Sequence, residues 1–138
     1  MKHAVHGNSI LRHTMKALII CLCLGGWAFA RPKETSVPAV NANLGPCSVD
    51  FKVSQSVNQP IYNAQITVSI AYGFLGMKKM DLQIGTNSEG KARFVGLPAK
   101  VYRPPLTFVV KHKGRTKNVD YWPQVRCKAQ YAVIMEAH

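Results

Sequence analysis

Few residues of this chain are placed to do chemistry. Cys47 and Cys127 stand 80 residues apart, one near each end of the strand-forming region. In an oxidising compartment such a pair forms a disulfide by default. Chain entropy assigns a loop of that length about 4.5 kcal/mol of stabilisation. Two buried free thiols are the alternative, and a metal pair is a poorer reading because no CxxC or histidine cluster accompanies them. Lys111, Lys113, Arg115 and Lys117 alternate with His112, Gly114 and Thr116 around an expected hairpin tip. That spacing is expected to put the four cations on one side of the ribbon, where their potentials add and could hold an anion. The plainer alternative is a solvated hairpin whose lysines discourage edge-to-edge pairing. For catalysis, only the dispersed set His112, Arg115 and Asp120 contains an evident base, with no nucleophile–base pair, metal-spaced ligand set or phosphate loop. The expectation is a protein without cofactor, metal or catalytic centre.

Length and charge bound the partners. A chain of 138 residues has room for one domain, which excludes an enzyme with separate cofactor and substrate lobes. The net charge of +12 would suit nucleic acid, but no base-stacking motif accompanies it. The first 30 residues carry Lys2, Arg12 and Lys16, then the apolar run Ala17 to Trp27, then Ala28-Phe29-Ala30. That three-part pattern is a cleavable secretory signal, with cleavage expected before Arg31. Its apolar run of 11 residues falls short of the roughly 20 needed to span a bilayer. An uncleaved anchor is the alternative, Met15 is a second candidate start, and Cys21 lacks the preceding small residue that lipidation wants. Export removes the usual nucleic-acid partner and leaves an unidentified protein or an anionic cell-surface polymer. No stable membrane span is expected after cleavage.

The elements that must position these residues are strands. Residues 31–45 hold two prolines and no hydrophobic period, and read as a flexible linker. From 46 to 136 the period is two, as in half-buried strands. Cys47, Val49, Phe51 and Val53 share one face, and Ala64, Ile66, Val68, Ile70 and Tyr72 another. Met80, Leu82 and Ile84, then Ala92 and Phe94, then Leu106, Phe108 and Val110 continue the pattern. Val119 and Tyr121 mark a sixth run, and Cys127, Ala129, Tyr131, Val133 and Met135 a seventh. Turn residues separate them at Asn58-Gln59-Pro60, Thr86 to Gly90, Gly96-Leu97-Pro98, Arg103-Pro104-Pro105 and Lys113-Gly114. Seven short strands and no helical period predict an all-β, antiparallel, seven-stranded sandwich. Trp122 lies on the opposite parity from Tyr121, which disfavours a true immunoglobulin core.

Two segments carry a family resemblance. Gln59-Pro60-Ile61-Tyr62-Asn63-Ala64-Gln65-Ile66-Thr67-Val68 resembles the opening motif of carboxypeptidase regulatory-like domains. Thr86-Asn87-Ser88-Glu89-Gly90-Lys91-Ala92-Arg93-Phe94-Val95-Gly96-Leu97-Pro98 resembles their turn-and-strand motif. Within them Pro60 sets a turn, Ala64 is small where sheets close, and Gly90 permits positive φ. Leu97 and Pro98 end the second motif. The resemblance implies a transthyretin-like (prealbumin-like, Ig-like) sandwich used as a non-catalytic binding or structural module. It departs from the family after Pro98, where Ala99 to Pro105 replaces a Gly-x-Tyr segment. Transthyretin-like hydrolases end in Tyr-Arg-Gly-Ser, whereas this chain ends Met135-Glu136-Ala137-His138. Isopeptide-forming relatives need an inward lysine and a last-strand asparagine; Lys52 has outward parity and the last strand has no asparagine.

Two apolar stretches remain. Tyr72-Gly73-Phe74-Leu75-Gly76-Met77-Lys78-Lys79-Met80 reads first as a crossing whose side chains cap the core, and second as a loop inserting into a partner or membrane surface. Tyr121 and Trp122 read as edge packing, then as a carbohydrate-stacking platform. The sum is an exported β-sandwich binding or structural module, with a secreted effector acting through the basic hairpin as the alternative. Intact mass of the exported protein checks the outline. The expected mass begins at Arg31, with alkylation only after reduction; a retained leader or two freely alkylated thiols would overturn it.

Overall fold

The computed structural model describes residues 35–136, so the leader expected over 1–30 and its cleavage point lie outside the described residues. Among the described residues the chain forms nine strands: β1 (Ala39–Asn41), β2 (Cys47–Ser56), β3 (Gln59–Pro60), β4 (Gln65–Tyr72), β5 (Lys78–Gly85), β6 (Lys91–Leu97), β7 (Leu106–His112), β8 (Arg115–Tyr121) and β9 (Lys128–Ile134). Two sheets pack face to face. One has the order β1-β6-β2-β3, with β9 also paired to β2; the second has the order β5-β4-β7-β8. Each of the seven period-two runs forms a strand.

The alternation works because each inward residue has a counterpart on the facing sheet. Val49, Phe51, Val53, Phe94 and Ala129 are buried from one side, and Ile66, Val68, Ile70, Phe108, Val110 and Tyr121 from the other. At the centre the Phe108 ring lies 5.0 Å from Phe51, 4.9 Å from Phe94 and 6.1 Å from Tyr121, centroid to centroid. Phe51 in turn meets Tyr131 at 5.8 Å. Tilted and edge-on rings at these separations gain from the aromatic quadrupole as well as from burial.

Three expectations need correction. The sandwich is not wholly antiparallel, because β2 pairs parallel with β9 and β1 pairs parallel with β6. A period of two fixes which face is buried and is indifferent to the direction of the neighbour. Part of the expected linker belongs to the sheet: β1 lies beside β6, Ala42 is buried, and its N–H donates to the Val95 carbonyl at 2.9 Å. The Leu44 and Gly45 amides both donate to the Gly96 carbonyl. These are backbone contacts, which leave little hydrophobic period to read. Pro60 does not set the turn, which falls at Val57-Asn58, but lies in the short β3 opposite Ser54.

The remaining motif residues sit in turns and closures. Gly90 has φ +73, and a Cβ there would lie 2.1 Å from the Val53 carbonyl oxygen, so neither backbone nor space admits another residue. Asn87 shapes that turn by accepting from the Glu89 and Lys91 amides at 3.0 and 2.9 Å. Buried Ala64 donates its N–H to the Thr86 hydroxyl at 2.9 Å, which donates to the Ile61 carbonyl at 2.6 Å. Leu97 is fully buried and faces Cys47 in the adjacent strand. Cys47 and Cys127 form a disulfide, with Cα atoms 4.6 Å apart.

Phe108→Ala tests whether the ring contact holds the sheets together. The expected loss is about 3–5 kcal/mol, from lost transfer energy and the cavity left behind, read as a shift of the urea midpoint.

Candidate functional site

Strand direction sorts the loops between two ends. The β4–β5 connection, the segment from β6 to β7 and the segment from β8 to β9 share one end with the disulfide. The β5–β6 turn and the β7–β8 tip lie at the other. The two ends differ in surface chemistry.

At the first end, Tyr72 pairs with Lys78, so β4 and β5 are joined by Gly73 to Met77 beyond the last sheet pair. Phe74–Gly76 forms one short 3-10 turn within which Leu75 has φ +53. A β-unbranched, non-glycine residue in this left-handed region is strained by roughly 1–3 kcal/mol, and the strain serves to direct side chains outward. Phe74 is 81% exposed, Leu75 59% and Met77 78%. The expected core cap is therefore overturned: with Tyr72 already paired to Lys78, too little chain remains to fold back over the sheets. Beside this tip lies Tyr102, whose ring comes within 2.8 Å of where a Gly76 Cβ would be. The Arg103 guanidinium stands 5.8 Å from the Tyr102 centroid.

Trp122 and Val125 add to the same end, Val125 at 84% exposure. Their loop is braced: the Val125 and Arg126 amides both donate to the Trp122 carbonyl, and the Ser48 amide donates to the Cys127 carbonyl. The buried Tyr121 hydroxyl also donates to the Cys127 carbonyl at 2.7 Å. Burial, with a smaller contribution from Tyr131, pushes the Tyr121 phenol up to about 12. Tyr121 thus packs as the edge reading expects, and Trp122 emerges half exposed. The cations in or beside these connections are Lys78, Lys79, Lys100, Arg103, Arg126 and Lys128; the connections contain no acidic residue, and Asp120 stands at the end of β8 two residues before Trp122.

The basic hairpin has a different geometry from the one its spacing predicts. His112 pairs with Arg115 across a two-residue turn, Lys113 at φ +46 and Gly114 at φ +74, the pattern of a type I′ hairpin. Lys117 faces Val110 and Lys111 faces Thr116, so Lys111 is on the outer side while Arg115 and Lys117 share the inward parity. The Lys117 ammonium donates to the Ile134 carbonyl at 3.0 Å, and the Arg115 guanidinium to the Glu136 carbonyl. The four cations do not form one patch. Alternation within a strand resets when the chain reverses, and two of the four are spent closing the seam between β8 and β9. Asp120 sits roughly 17 Å along β8 from Arg115 and on the opposite face, where it accepts from the Thr107 hydroxyl. The trio with His112 is not brought together.

A broad groove of about 730 Å³ crosses the outer face of the β2 sheet, lined in part by Ser48, Asp50, Arg93, Arg126, Lys128 and Gln130. Asp50 pairs with Arg93 across it and, chiefly by this hydrogen bond, raises the arginine's already high pKa. Lys52 points outward, as its parity predicts. Among the described residues no three His, Cys, Asp or Glu side chains are grouped to hold a metal. No protein-family model matches the chain, and no curated protein matches it.

The raised Tyr121 pKa fixes the sign of an alkaline effect. The native state keeps the phenol protonated where the unfolded chain, near 10, releases it. Stability contributed by Tyr121 is complete below pH 10 and is lost progressively as pH rises to about 12. The thermal midpoint is expected to fall over that interval, and Tyr121→Phe to flatten the fall. An equal slope in the variant would assign the effect elsewhere.

Proposed function

We propose that the protein is an exported, non-catalytic binding module of transthyretin-like sandwich type, acting through the loop end that carries Phe74, Leu75, Met77, Tyr102, Trp122 and Val125. The observation that carries this reading is that three connections at one end each expose large apolar side chains. Large apolar groups left in water at one end of a domain mark a surface that is covered in use. The braced β8–β9 loop and the strained Leu75 keep them presented, which reduces the ordering entropy that binding must overcome.

Export is supported by the charged, apolar and small-residue pattern of residues 1–30 and by the Cys47–Cys127 disulfide, a bond that persists in oxidising compartments. The family type is supported by the placement of its motifs: Pro60 and Ala64 lead into β4, Gly90 turns into β6, and Leu97-Pro98 close it.

Fractionation of expressing cells tests the binding role. The exported wild type is expected in the particulate envelope fraction. Phe74→Ser/Leu75→Ser/Met77→Ser is expected to move it to the soluble fraction without changing its thermal midpoint, since all three side chains are exposed. A folded triple variant that fractionates like the wild type would overturn the assignment to this end.

A further inference from the structure

We infer that the surface recognised by this loop end is an anionic phospholipid bilayer. The inference rests on the loop end being the binding surface and names its partner.

The shape of the end comes first. Phe74, Leu75 and Met77 project from a tip beyond the last sheet pair. A projecting apolar tip fits a medium that deforms around it. Interfacial segments of this kind sink roughly 5–10 Å into the headgroup and acyl boundary. The residue types agree with that depth. Tyr102 and Trp122, both half exposed, are the side chains whose apolar body and polar edge suit the headgroup level.

Charge supplies the second argument. Lys78 and Lys79 follow the apolar tip directly, Lys100 and Arg103 flank Tyr102, and Arg126 lies one residue beyond Val125. The three connections themselves hold no carboxylate, and the nearest ones are engaged: Asp120, two residues before Trp122, accepts from the Thr107 hydroxyl, Asp50 pairs with Arg93, and Asp81 within β5 accepts from Ser69. Cations placed next to each exposed apolar stretch complement anionic headgroups above an acyl interior. Each Lys or Arg near such a surface strengthens binding about fivefold, so a few together convert weak insertion into stable attachment. The cations also give the binding a salt dependence, because exposed charges are screened within about a Debye length.

The opposite end is the internal control. Its basic tip, Lys111 and Lys113, carries charge without an apolar projection of comparable size, although Val57 and Tyr62 are exposed singly nearby.

Co-sedimentation of the purified protein with vesicles tests the inference. One set is phosphatidylcholine alone, the other an equal mixture of phosphatidylcholine and phosphatidylglycerol. The wild type is expected to bind the mixed vesicles and to be released by raised salt. Phe74→Ser/Leu75→Ser/Met77→Ser should weaken binding at least tenfold. Lys78→Gln/Lys79→Gln should erase most of the preference for the anionic set, and Lys111→Gln/Lys113→Gln should leave binding unchanged. Trp122 emission should shift to the blue on mixed vesicles and not on phosphatidylcholine alone. Absence of binding to either set, binding indifferent to the folded triple variant, or equal loss in the Lys111/Lys113 variant would each overturn the lipid assignment. A triple variant that instead turns a dimer into a monomer would overturn it in favour of self-association. Loop-dependent retention in the cell fraction without vesicle binding would leave the binding module standing and replace lipid with a protein partner.

Discussion

The structure depends on one ring. Phe108 reaches from the second sheet to the space between Phe51 and Phe94 on the first, and it also touches Tyr121 of its own sheet. Its position sets the separation of the two layers and, through pleat parity, which side of every neighbouring strand faces in. Val110 and Leu106 are buried because Phe108 is, and their cross-strand partners follow. The seam where β8 meets β9 is then closed by polar means. Lys117, Arg115 and the Tyr121 and Tyr131 hydroxyls each donate to a carbonyl across it. Hydrophobic burial holds the layers, and directed hydrogen bonds hold the edge.

The bracing contacts and the exposed apolar loops share one end of the molecule. The disulfide, the Tyr121 hydroxyl and the β8–β9 turn lie together where Trp122 and Val125 are exposed. A side chain presented from a braced loop loses little freedom on contact. The β4–β5 tip is held differently, by the eight-residue register of its two strands and by the neighbouring Tyr102 ring. The other end holds the Asn87–Gly90 turn, the singly exposed Val57 and Tyr62, and the basic hairpin, whose inward cations are committed to the fold.

The strands were legible because a half-buried strand has a period that sequence shows directly. Phe51, Phe94, Phe108 and Tyr121 could all be placed inward before any coordinates, and Gly90 and Lys113-Gly114 could be placed in turns. Three things were not legible. Strand direction was one, since β9 beside β2 has the same alternation whether parallel or antiparallel. β1 was another, since its place is held largely by backbone groups and one small buried residue, Ala42. The third concerns both candidate sites. Spacing alone carries the parity of the basic residues through the turn, whereas His112 opposite Arg115 reverses it. The apolar tip was assigned to the core on composition, whereas exposure was decided by Tyr72 pairing with Lys78 and by the backbone of Leu75.

The parallel pair of β2 and β9 orders events in time. β2 is among the first strands to be made and β9 is the last, and they are hydrogen-bonded from Ser48 to Ser54. The second sheet pairs strands close in sequence, with β4 beside β5 and β7 beside β8. Such local pairings close short loops, whereas β2 must wait for a partner some 80 residues away. A growing chain therefore carries β2 with one edge unmatched until its last strand arrives. Until β9 is present the first sheet lacks the strand that completes that edge of β2.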